Sequence, residues 1–178
     1  SLASAYQRYQ AKELDLTWIP VEQIPHIQKN TPSALLVVPR LTTEFYTFNV
    51  AKPPFDNEKV RKALYLTLDR PLIAEHIIGL RKPAATLTPP DVDGFTAPNI
   101  AELNQPLTDR VKQAKKLLND AGYNEKHPLQ FEIFYNKYAT HEKVALALAS
   151  EWKKQLGADV KLRTMEWKTY LGERNVGN

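Results

Sequence analysis

The sequence predicts an α/β fold, a mixed sheet flanked by helices, and two observations carry that prediction. Between residues 129 and 174 the hydrophobic period alternates between two and 3.6, reading strand, helix, strand, helix. That order is ordinarily met by strands joined through a helical crossover. The first half adds three short alternating or β-branched runs, which read as further strands. With 178 residues, 43% of them hydrophobic, the chain is long enough for one unit with its own core.

In chain order, residues 13–18 (ELDLTW) alternate polar and apolar and predict a strand. Residues 21–29 predict a short helix limited by Pro25, and 34–38 (ALLVV) an apolar strand. Residues 42–50 (TTEFYTFNV) alternate, with Phe45, Thr47 and Asn49 on one side and Tyr46, Phe48 and Val50 on the other. Pro39 is expected to separate these two strands, and Pro53-Pro54 to stop the sheet. Asp56 or Asn57 caps a helix carrying Val60, Ala63, Leu64 and Leu68. Asp69 caps a second, with Pro71 in its first turn, a buried face of Leu72, Ile73, Ile77 and Ile78, and Gly79 as its stop. Residues 81–106 form a proline-rich loop, and an ordered loop of that length is usually functional or packed on another part of the protein. Thr108 is expected to cap a helix that ends at Gly122. Residues 129–135 (LQFEIFY) form a strand, and Thr140 caps a helix through Val144, Ala145, Leu148, Trp152 and Leu156, closed by Gly157. Residues 158–163 form the next strand and Glu166–Arg174 the last helix.

Composition narrows the chemistry. The absence of cysteine removes disulfides, thiolate nucleophiles and cysteine metal sites. Net charge is +4, but the basic residues alternate with acids, as in DNEKVRK. That pattern reads as solvated helix faces rather than a nucleic-acid groove. The histidines at 26, 76, 127 and 141 make no i,i+4 pair. Asp91-Val-Asp93-Gly94 starts like a calcium loop, but Phe95 and Thr96 do not continue the ligand pattern. There is no Gly-rich phosphate cradle and no GxSxG elbow. No cofactor and no catalysis are expected. No signal peptide is read, and the Ser-Leu start is expected of a processed or excised piece.

What remains is an edge suited to an anion. His141 is expected to open its helix, where unpaired N–H groups and the positive end of the dipole attract a carboxylate. Trp167 sits in the first turn of the last helix and offers an amphipathic wall. Arg174 lies seven residues on, almost two turns, so it points the same way; its fork matches a carboxylate bidentately.

Several segments then resemble one family. PPFDNEKVRKALYLTLDRPLI, AKKLLNDAGY, LASEWKKQLGADVKL, YQRYQAKELDLTW and EWKTYLGER are similar, in order and over the whole chain, to segments of the extracytoplasmic solute-binding proteins (family 5) that serve peptide ABC transporters, oligopeptide-binding branch. The resemblance implies one lobe, residues 1–178, of a type II periplasmic-binding-protein fold. It implies a periplasmic or lipid-anchored protein that takes oligopeptides and docks on a permease. His141, Trp167 and Arg174 match pocket-lining positions of that branch. Where some members carry a pocket lysine this chain has His76, Ile77 and Ile78, and Arg81 is the candidate to compensate. Trp18, beside a shortened turn, is a further candidate. The match ends at Asn178, before an aspartate motif that pairs with the peptide amino terminus, and the opposite lobe is absent. Murein-peptide, nickel-chelate or haem carriers are the nearer alternatives, and a peptidase the remote one.

Overall fold

Two parallel strands, β1 (Gln130–Asn136) and β2 (Asp159–Met165), pair in register from Gln130↔Asp159 to Asn136↔Met165. The chain between them is helix α5 (Ala139–Leu156), and β2 leads directly into α6 (Trp167–Asn175). In β1, Ile133 and Tyr135 are buried against the core, while Glu132 on the other face is exposed. α5 lies on the core side, where Phe131 meets Trp152 edge-on at 5.5 Å. α6 lies on the other side, with Tyr170 5.4 Å from Phe134. There Arg163 pairs with Glu132 at 2.6 Å and with Glu173 at 3.5 Å, tying both strands to α6. Gly157 ends α5 in the left-handed region (φ +69) that an L side chain adopts at a cost, as its place in the sequence predicts. This is the computed structural model of the protein; it describes residues 1–38 and 40–177.

Behind the sheet, α3 (Glu58–Leu66) and α4 (Leu107–Asp120) pack together through Val60, Ala63, Leu64, Ala114 and Leu118. Asn57 caps α3 by accepting from Lys59 N at 2.9 Å. The carbonyls at its other end are taken by side chains. Arg110 Nη1 donates to Leu66 O at 2.7 Å and to Leu68 O, and Thr67 Oγ1 donates to Ala63 O and Leu64 O. Asp69 accepts from Leu72 N at 3.1 Å at the head of a π-helical segment, Leu72–Ile78. Gly79 follows with φ +76, and a Cβ there would sit 3.0 Å from Val21 Cγ1. Trp152 locks α5 to α3: its ring is buried and Nε1 donates to Leu64 O at 3.1 Å. Through Phe131 the aromatic contacts run on to Phe55 and Phe48, with centroids 5.2 and 4.9 Å apart.

The first half departs from expectation. Residues 13–18, 34–38 and 42–50 are irregular or extended, and none pairs as a strand; a short 3₁₀ turn covers Pro32–Ala34. The sheet among the described residues is therefore parallel and two-stranded. Alternation creates a face, but a strand also needs a neighbouring backbone, and these segments find none. Many of their apolar side chains, among them Leu16, Leu36, Val37, Val38, Phe45 and Val50, stay exposed. The break expected at Pro39 lies outside the described residues. Helix α1 (Leu2–Gln10), capped by Ser1 accepting from Ser4 N, has no counterpart among the elements read from the pattern. The helix expected over 21–29 is a 3₁₀ turn, Val21–Gln23, leading into α2 (Ile24–Asn30). Thr108 and Thr140 are not caps: α4 and α5 start two residues earlier than expected, behind Pro106 and Tyr138 in extended backbone.

Replacing Trp152 by alanine is expected to destabilise the fold by about 3–5 kcal/mol, the range for deleting a buried aromatic side chain. Trp152→Phe keeps most of the ring contact and loses one hydrogen bond, about 1 kcal/mol. Urea unfolding followed by far-ultraviolet circular dichroism measures both.

Candidate ligand-binding site

Both strands end at one edge, and both helices that follow start there. The main chain holds this edge together, with Lys137 N donating to Met165 O at 2.7 Å. His141 is the third residue of α5 rather than its first, so its N–H still belongs to the open first turn. The imidazole is half-buried. Its Nδ1 lies 2.8 Å from Asn136 Oδ1, and Tyr138 packs edge-on against it at 5.0 Å. Tyr46, reaching over from the extended segment 42–50, donates its hydroxyl to the His141 carbonyl at 3.5 Å.

On α6, Trp167, Tyr170 and Arg174 form one stripe at i, i+3 and i+7. Trp167 stacks on Tyr170 at 5.7 Å and 20°, and 55% of it is exposed. The Arg174 guanidinium stands 6.0 Å from the same Tyr170 ring and has no carboxylate partner among the described residues. Tyr170 thus joins the two α6 candidates, and its phenol is among the groups acting on Tyr46. Tyr46 thus meets His141, and Tyr170 meets Trp167 and Arg174, at the edge where α5 and α6 begin. Trp18 is 76% exposed in irregular chain, and Arg81 is exposed beyond Gly79; neither is hydrogen-bonded to or stacked on these three among the described residues. An open groove of about 490 Å³ lies elsewhere, between Val21, Glu22 and His76 and the α5 residues Lys143 and Leu146.

Electrostatics single out Tyr46. Burial of its hydroxyl end, with Tyr135, Glu44 and Tyr170 adding to it, pushes its pKa up to about 12, although 41% of the residue is exposed. Burial likewise raises the Tyr135 pKa, helped by Glu142. Arg163 is held even more firmly charged by its hydrogen bond to Glu132. Among the described residues no cluster of three His, Asp or Glu is placed to hold a metal, and no helix is long and apolar enough to cross a membrane. Asn136, Tyr46 and Tyr138 have no spacing signal of their own, and Tyr170 has only its place at i+3 on the Trp167–Arg174 stripe. Asn136 ends a predicted strand five residues before His141, and that is the one hint the sequence carries for it.

One edge of the parallel strands thus carries two helix starts, an aromatic stripe and a guanidinium with no carboxylate partner among the described residues. The chain belongs to the bacterial extracellular solute-binding proteins, family 5, whose middle-region model matches residues 2–178. It is 59% identical over 175 residues to the probable deoxycholate-binding periplasmic protein of Escherichia coli, covering 98% of this chain and 33% of that protein. It is 41% identical over 176 residues to the periplasmic oligopeptide-binding protein of Haemophilus influenzae, covering 96% and 32%. Its fold is similar to that of the murein tripeptide-binding protein of Escherichia coli, with a TM-score of 0.90 at 39% identity over 98% of this chain and 35% of that one. The α/β class and the type II periplasmic-binding fold expected from the sequence are both correct. The chain spans about a third of the length of the relatives it matches.

A tyrosine whose pKa is raised on folding stabilises the fold below its unfolded value near 10, and that contribution is lost as pH rises towards about 12. Tyr46→Phe is expected to flatten the loss of stability between those two values. Urea midpoints of the two proteins across that range measure it, and an unchanged slope contradicts the assignment.

Proposed function

We propose that the protein to which this chain belongs captures a carboxylate-bearing solute outside the cytoplasm and delivers it to an ABC-transporter permease. Oligopeptides are the expected ligands, and this chain supplies one wall of the cleft. The observation that supports this most is the Arg174 guanidinium beside the Tyr170 ring of the Trp167–Tyr170 stack, without a carboxylate partner among the described residues, on the edge that also carries His141. Arg174 takes the carboxylate, His141 adds a polar contact, and Trp167 walls a side-chain pocket. Trp18 and Arg81 are outlying contacts that meet the ligand only with the cleft complete. The exposed apolar residues of segments 34–38 and 42–50 are the face that meets the remainder of the protein, including its other lobe. No catalytic role is assigned. The site joins a cation to aromatic rings, an arrangement for holding a ligand, and no nucleophile–base pair is seen beside it.

A second reading has a specific support. The relative at 59% identity is a probable deoxycholate-binding protein. A bile acid also presents a carboxylate, on a flat apolar body, and the exposed Trp167 face is a flat apolar surface. Deoxycholate is therefore the second ligand of choice.

Calorimetry on the full-length protein, with tri- to pentapeptides and with deoxycholate, tests both readings. One class is expected to bind, and Arg174→Ala to weaken it roughly 10- to 100-fold, as for loss of a charge-assisted contact. Binding of neither class, or full affinity without Arg174, overturns the proposal. The 178-residue chain alone is expected to show no micromolar affinity for the same peptides, because one wall makes only part of the contacts.

A further inference from the structure

We propose that Asn136 is a positioning residue: it holds neutral His141 in the Nδ1–H form, so that His141 accepts a carboxylate only together with a proton. This rests on the reading of the edge as a carboxylate site and names how that site is regulated. Asn136 Oδ1 and His141 Nδ1 are 2.8 Å apart. An amide oxygen only accepts, so the hydrogen between them is on Nδ1. A neutral imidazole has a single N–H, and Nε2 is left with a lone pair. That lone pair repels a carboxylate and welcomes an N–H or O–H donor. Protonation at Nε2 reverses both preferences, giving an imidazolium with one N–H on Asn136 and the other free for a carboxylate.

The contact is held from several sides. Asn136 closes β1 opposite Met165, so its backbone is fixed by the strand ladder. The turn to α5 is fixed by Lys137 N donating to Met165 O and Glu142 N to Tyr138 O. Tyr138 packs its ring against the imidazole, and Tyr46 holds the His141 carbonyl. The titratable groups around the imidazole are these two phenols, Glu142 next to it on α5, and Tyr135, Glu44 and Tyr170, which act on Tyr46. The nearby lysines in sequence are engaged elsewhere, Lys137 with Glu166 and Lys143 with Glu22.

The test is two-bond ¹H–¹⁵N correlation spectroscopy on protein labelled at histidine, with the His141 signals assigned by their loss in His141→Gln. Above the imidazole titration, wild type is expected to show the Nδ1–H form. Asn136→Ala is expected to revert to the Nε2–H form that a free imidazole prefers. Asn136→Asp, whose carboxylate only accepts, is expected to keep Nδ1–H. An Nε2–H form in wild type, or no change in Asn136→Ala, overturns the positioning role. Acetate serves as the carboxylate probe and is expected to raise the His141 titration midpoint in wild type. If the Nδ1–H form is present and acetate leaves the midpoint unmoved, the positioning role stands. The carboxylate reading of the edge, and the proton coupling with it, then fails.

Discussion

Parallel pairing of β1 with β2 is the constraint on which the rest depends. Two adjacent strands that run the same way cannot be joined by a tight turn; the chain has to return along the sheet before it can start again. Seven strand residues span roughly 23 Å. The 18 residues of α5 span about 27 Å, so one helix returns the full length with little to spare. The same geometry sends both strands out at one edge, and α5 and α6 both begin there. The placement of His141 beside the start of α6 follows from connectivity before any side-chain contact is considered.

The pairing alone does not seat α5. A helix over a two-stranded sheet has too little surface beneath it, and the deficit is met from α3. Trp152 donates to the Leu64 carbonyl, and its ring contacts continue through Phe131 to Phe55 and Phe48. This line joins the extended segment 42–50 to the core without any strand pairing. It also explains how Tyr46, two residues before Phe48, is carried to the start of α5.

Local signals were legible in the sequence and tertiary ones were not. Asn57, Asp69, Gly79 and Gly157 are found where their backbone preferences place them, because a cap is decided by four or five neighbouring residues. Thr108 and Thr140 failed as caps because Pro106 and Tyr138 already hold the extended conformation that starts each helix, leaving the threonines inside the first turn. The strands expected at 13–18, 34–38 and 42–50 failed for a different reason: period two is a property of one segment, while hydrogen bonding needs two. At the site, the seven-residue spacing of Trp167 and Arg174 was readable. Tyr170 was not singled out although it lies on the same stripe, because its role comes from contacts with Phe134, Trp167 and Arg174 that only the folded chain makes. Asn136 and Tyr46 meet His141 from different elements, and no spacing rule reaches across them.

Magnitudes decide how much such an edge achieves in the open. Two unit charges 4 Å apart attract by about 1 kcal/mol in water and about 4 kcal/mol at the effective dielectric of a protein surface. Arg174 is exposed here, so a carboxylate reaching it meets the weaker value, further reduced by salt and by ordering of the side chain. Association itself costs several kcal/mol in lost freedom. The Trp167 face adds apolar contact, but more than half of that residue remains open to solvent. On the proposed reading, a single wall of this kind meets a ligand's chemistry without retaining it. Retention requires a second surface that excludes water, strengthening the charge pair and burying the ring together, and a cleft that closes on its solute supplies both at once.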